Sequence, residues 1–148
     1  FGVKSLLGDS KYNGAFANGR FTHITLDMYN YHHFHSPVDG VIEDVREIDG
    51  MCSGGGEIVW DREQQRYRYE YDDNLGFQMI EKRAVIIISS AEPLGCLWGI
   101  LPIGVAQVGS IKIESSTRIG LRVNRGQDLG HFLCGGSDVV VINKDNTL

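Results

Sequence analysis

Four of the five histidines fall within thirteen residues, at His23, His32, His33 and His35. Three of them sit in the run Tyr31-His32-His33-Phe34-His35-Ser36-Pro37-Val38-Asp39-Gly40. Imidazole titrates near neutral pH, so such a cluster can supply a base, an acid or metal ligands. Solvated imidazoles on a turn are the plainer reading, and a triple cluster beside Pro-x-Asp-Gly weighs against it. On an extended chain His33 and His35 share a face and His32 points away. Bringing His32 and His35 to one reacting group requires a turn or bulge, for which Pro37 and Gly40 are suited. A second concentration of chemistry is Leu133-Cys134-Gly135-Gly136-Ser137-Asp138. Its two glycines put no Cβ on the approach to Ser137 and tolerate strain. The serine could be a nucleophile that takes its base from elsewhere. The same residues also suit a hairpin turn. The segment is neither a GxSxG elbow nor a P-loop, since no GK[ST] follows.

The elements that must position these residues read as strands. Glycine is unusually abundant, 19 of 148 residues with 3 prolines, which favours short strands and tight turns. A chain of this length fits one domain with a real core. The segment Arg20–Leu26 alternates, with Thr22, Ile24 and Leu26 on one face. Val41–Ile48 suits a strand, although its apolar spacing also suits a helical turn. Tyr67–Tyr71 alternates three tyrosines against Arg68 and Glu70, an aromatic stripe expected to lie in the core. Ala84–Ile88 and Asp138–Ile142 are β-branched runs that predict strands buried on both faces. Ile111–Glu114 and Leu121–Asn124 alternate again. Phe1–Gly8 suits one helical turn stopped by Gly8, and Ser53–Gly56 a loop. Pro102 with Gly99 and Gly104 makes a long helix over Leu97–Val108 unfavourable. The expected architecture is mostly β, a compact barrel or sandwich forming a single domain over residues 1–148.

Composition narrows the partners. A net charge of −5 argues against nucleic acid and mildly against electrostatic docking on anionic lipid. No run approaches the ~20 apolar residues of a membrane helix. Cys52, Cys96 and Cys134 lack CxxC spacing and read as reduced thiols or small buried hydrophobes of an intracellular protein. The opening at Phe1 reads as a piece of something longer.

Four segments in order resemble the phosphatidylserine decarboxylases, self-processing enzymes that depend on a pyruvoyl group. The stretch Tyr31–Gly40 is similar to the family's YHRxHxPxxG. Ile103-Gly104-Val105-Ala106-Gln107-Val108-Gly109-Ser110-Ile111 is similar to its IGAxxVGSI. Arg125-Gly126-Gln127-Asp128-Leu129-Gly130-His131-Phe132, followed by Gly135-Gly136-Ser137, is similar to its KGxxLGxFxxGGS. The opening Phe1–Gly8 resembles the segment ahead of the histidine motif.

The resemblance implies that Ser137 attacks the Gly136 carbonyl in an N-to-O acyl shift. The ester then eliminates, and a pyruvoyl group forms at position 137 as the chain is cut between 136 and 137. His35 matches the base for cleavage, and His32 matches the histidine of the decarboxylation step. A Schiff base between the pyruvoyl ketone and the substrate amine would take up the electrons released with CO₂. The substrate would be phosphatidylserine or a free amino acid, aromatic ones included. No metal and no pyridoxal phosphate are expected. Further implications are a β-rich fold, an N-terminal region or separate chain that completes the machinery, and a cytoplasmic or peripheral membrane setting. A homo-oligomer is compatible.

The chain departs from the family pattern in three ways. The family's processing Asp lies upstream of every residue here. His33 stands where the family has Arg, removing a permanent cation. Asp138 stands where it has Thr or Ser, and a carboxylate there is expected to repel a carboxylate substrate. Two other readings compete. A cupin-like metal site could be drawn from His33, His35 and Asp39, with His23 or His131 as a fourth ligand. A non-cleaving binding relative is the other, and Lys112 faintly resembles the lysine of a biotinyl or lipoyl hairpin.

Overall fold

A computed structural model describes residues 2–27, 29–52, 56–71, 76–92, 95–105, 109–133 and 137–144. The chain is mostly β, and its sheets stack without closing into a barrel. The large sheet contains six strands: β1 (Arg20–Leu26), β3 (Gly40–Ile48), β6 (Arg83–Ser90), β7 (Leu97–Gly104), β9 (Arg122–Val123) and β11 (Ser137–Asn143). Its order is β1-β11-β7-β6-β3-β9, antiparallel at every described pairing. A second sheet has the order β2-β10-β8, from β2 (His33–His35), β8 (Ile111–Ile113) and β10 (Asp128–Phe132). The hairpin of β4 (Gly56–Asp61) and β5 (Arg66–Tyr71) pairs with neither.

Alternation along the β-branched runs produces two cores, one on each face of the large sheet. Ala84, Ile86, Ile88, Ile100 and Val139 pack against Phe34, Ile111, Leu129 and Phe132 of the smaller sheet. Val85, Ile87, Leu101, Ile103, Val140 and Ile142 pack beneath Leu6 and Leu7 of α1 (Val3–Leu7) and Phe16 of the short helix Asn13–Phe16. Burying one such aliphatic side chain contributes about 1.5–3 kcal/mol, so this double burial of β6, β7 and β11 makes them the rigid centre. Arg83 ties the helical layer to the sheet. Its guanidinium donates to the Ser5 and Leu6 carbonyls at 2.8 and 2.7 Å, groups that the end of α1 leaves unpaired.

One expectation is corrected, and two others are refined. The tyrosine stripe is not wholly core: Tyr69 is buried, but Tyr67 is 54% exposed and packs edge-to-face on Trp60. The reason is that the β4–β5 hairpin forms a separate two-stranded sheet and, among the described residues, is not hydrogen-bonded into either larger sheet. No long helix forms over Leu97–Gly104, as expected; the segment is a central strand that accommodates Pro102 and its glycines. Gly56 begins β4, while the rest of the expected loop at 53–55 lies outside the described residues.

Candidate active site

Ser137 is the first residue of β11 and has no exposed surface. It lies between strands, opposite Leu26 of β1 and Gly104 of β7. Alternation places its side chain on the same face as Val139, toward the smaller sheet.

On that face the Ser137 hydroxyl donates to His32 Nδ1 at 2.8 Å. The opposite ring nitrogen, Nε2, donates to the Asp27 backbone carbonyl at 2.9 Å. A carbonyl can only accept, so Nε2 carries a proton, and in its neutral form the ring offers Nδ1 as a lone pair. The ring lies edge-on to Phe132. The His32 carbonyl accepts from the Phe132 amide at 2.9 Å, which fixes the His32 backbone to β10. Serine, imidazole and carbonyl form a relay, with a backbone oxygen in the orienting place where a carboxylate often stands.

His35 makes no hydrogen bond to Ser137. It shares the outer face of the smaller sheet with His33, their rings 6.3 Å apart. There Tyr31 stacks on His33, His33 stacks on His131, and His33 Nδ1 donates to Asp128 at 2.8 Å. The Asp128 carboxyl is held below its usual range. Burial works to raise it, and is outweighed by the His33 hydrogen bond, the Gly130 amide and the nearby His33 and His35 rings. The structure thus brings together Ser137 and His32 and sets His35 on the opposite side of β2. Gly136, the other residue of the expected cleavage site, lies outside the described residues, as do Cys134 and Gly135.

Other motif residues build the frame. The Asp39 carboxylate accepts from the Arg125 amide at 2.6 Å, tying the histidine segment to the turn before β10. Gly40 is required by close approach, since a Cβ would lie 2.3 Å from the Ser89 carbonyl oxygen. A Cβ on Gly130 would meet the Lys112 carbonyl oxygen at 2.2 Å and the Phe34 ring at 2.4 Å. With Asp39 and His33 so engaged, no group of three or more His, Cys, Asp or Glu among the described residues is placed to hold a metal. The cupin-like ligand set is not assembled. Lys112 lies within β8, not at a hairpin tip.

Asp138 departs from the sequence expectation. It is fully buried, and alternation turns it to the face opposite Ser137. His23 Nε2 donates to Oδ2 at 2.8 Å and the Thr25 hydroxyl to Oδ1 at 3.1 Å. The carboxylate therefore does not face the serine side of the sheet. Sequence reasoning counted His23 in the cluster and missed this partnership. Also missed was the Asp27 carbonyl, which no side-chain pattern could reveal.

On the helical side of the sheet a cavity of about 370 Å³ is lined by residues including Val3, Leu6, Phe21, His23, Met79 and Val140. No described helix is long and apolar enough to cross a membrane.

A family model described as phosphatidylserine decarboxylase matches residues 1–147. The chain is 33% identical over 146 residues to "Phosphatidylserine decarboxylase proenzyme 2" of Oryza sativa subsp. japonica, covering 98% of this chain and 21% of that protein. It is 30% identical over 142 residues to "Phosphatidylserine decarboxylase proenzyme" of Chlamydia trachomatis serovar L2, covering 96% and 42%. A protein of the same name from Acinetobacter baumannii (strain SDF) is 22% identical over 156 residues, covering 98% and 50%. The chain thus spans from about a fifth to half the length of these curated relatives.

Proposed function

The chain belongs to the phosphatidylserine decarboxylase family, and from that premise we propose that it is the reacting part of a pyruvoyl-dependent decarboxylase that makes its own prosthetic group at Ser137. The observation that carries the reading is the 2.8 Å hydrogen bond from the Ser137 hydroxyl to a histidine whose tautomer is fixed from behind. Ser137 Oγ bonds to the Gly136 carbonyl carbon as its proton passes to His32 Nδ1. The Gly136–Ser137 C–N bond breaks, and the amide nitrogen takes that proton, leaving an ester. Loss of the Ser137 α-proton then expels the Gly136 carboxylate. Water converts the remaining enamine to a ketone and releases ammonia. The atoms balance with water as the sole co-reactant.

The geometry supports His32 over His35 for the first proton, although the family motif matches His35 to that step. Removing the proton as the bond forms is the work of a general base, commonly worth about 10²–10⁴-fold. The 137 ketone supplies a sink for the electrons released when CO₂ leaves the substrate. The substrate proposed is the serine headgroup of phosphatidylserine, the molecule in the relatives' names. Intact mass under denaturing conditions tests the reading: two fragments divided at 136/137 are expected, the smaller carrying a ketone. Release of labelled CO₂ from phosphatidylserine in mixed micelles tests the substrate. A chain that stays whole, or CO₂ released from free aromatic amino acids alone, overturns the corresponding half.

A further inference from the structure

Asp138 is the residue whose nitrogen leaves the reaction attached to the new ketone-bearing unit. It brings a carboxylate with no exposed surface to within one residue of the attacking hydroxyl. Two groups from β1 hold it. The register sets Thr25 directly opposite Asp138, and His23 lies two residues away on the same face. Both donate to the carboxylate, one to each oxygen. Buried carboxylates without donors are strongly disfavoured, and would turn toward whatever polar group or solvent they can reach. The nearby reacting centre is the carbonyl that the Ser137 hydroxyl attacks, whose oxygen gains negative charge as the new bond forms. A second negative charge moving toward it would oppose that growth.

We infer that His23 is a positioning residue for self-cleavage: with Thr25 it holds the Asp138 carboxylate on the helical face of the sheet, away from the side on which Ser137 reacts. The assignment rests on the self-cleavage reading above. It accounts for a carboxylate in a place where the family pattern has a neutral hydroxyl side chain. His23 also stands at the wall of the 370 Å³ cavity, and its side chain is about one-third exposed. A small molecule can therefore reach the place its ring occupies.

The test follows self-cleavage of the intact protein by denaturing gel, beside circular dichroism to confirm folding. His23→Ala is expected to slow cleavage roughly ten- to a hundredfold, the scale of a small misplacement at a reacting centre. Added imidazole should restore it by entering the enlarged cavity. His23→Gln, which keeps a donor, should cleave faster than His23→Ala. His23→Ala/Asp138→Asn should return close to the wild-type rate, because the charge that needed holding is gone. A purely structural histidine would show none of these recoveries. Wild-type cleavage by His23→Ala overturns the assignment, and so does a double variant as slow as the single one. A wild-type chain that never cleaves removes the reaction itself, and is seen before any variant is made.

Discussion

The Ser137 hydroxyl and the His32 ring share a 2.8 Å hydrogen bond whose direction is set on the far side of the imidazole, where Nε2 is committed to the Asp27 carbonyl. A proton can thus leave the serine only toward a nitrogen already prepared to take it. The residues that matter most to this pair come from β10 and the turn after β1.

Ser137→Ala should give a single uncleaved chain that folds. The variant loses one buried hydrogen bond, typically about 0.5–1.5 kcal/mol, and no core volume of consequence. Denaturing mass spectrometry should show one species, and urea unfolding a small drop in stability. A cleaved alanine variant would remove Ser137 from the chemistry.

His32→Ala should slow cleavage by about 10²–10⁴-fold, whereas His35→Ala should cleave near the wild-type rate. The two variants separate the geometric assignment from the motif assignment. The opposite ranking, read from a time course on a gel, returns the base role to His35.

Gly130→Ala should destabilise by about 1–3 kcal/mol, the usual range for forcing atoms into a filled site. The added carbon meets backbone at Lys112 as well as the Phe34 ring, so β8 and β10 must separate. Cleavage should slow with it, because the neighbouring Phe132 amide holds the His32 backbone. A variant with unchanged urea midpoint and cleavage rate would show that β10 has room to move.

The Asp128 carboxyl is held below its unfolded value, about 3.9, so its contribution is present above that value and fades as pH falls through the folded one. The side chain is more than a third exposed, and solvent limits the gain to roughly 0.5 kcal/mol. Asp128→Asn should lower the unfolding midpoint slightly near neutral pH and converge with wild type in strong acid. A difference that persists unchanged in acid would assign the loss to packing.

Local chemistry made much of the frame legible. Arg20–Leu26 is a strand over the expected residues, and the runs at 84–88 and 138–142 lie inside β6 and β11. Their β-branched side chains suit a pleated surface whatever packs on them. β7 escaped because Pro102 and Gly99 are exceptions that only neighbours explain. Its register against β6 runs at Ile103 and again from Ile100 to Leu97, with the interruption over Pro102, which has no N–H to give. Gly99 lies under Ile142, where a Cβ would approach to 2.7 Å. The His23–Asp138 pair joins residues 115 apart in sequence, and no local pattern announces a partner at that distance. His32 stood out in the sequence as a candidate, but its contact with Ser137 depends on how β2 and β10 sit beside β11.

β11 also sets a timetable. It occupies an interior position of the sheet, bonded along seven residues to β1 and along seven to β7, yet it follows both in sequence. Both flanking strands leave the ribosome first, and the sheet is joined across them only when β11 pairs with both. Ser137 cannot meet His32 until β11 is in place, so under the proposed self-cleavage the cut would report that assembly is complete. If the cut is made there, the piece that begins at Ser137 would stay paired to strands on both sides of the sheet.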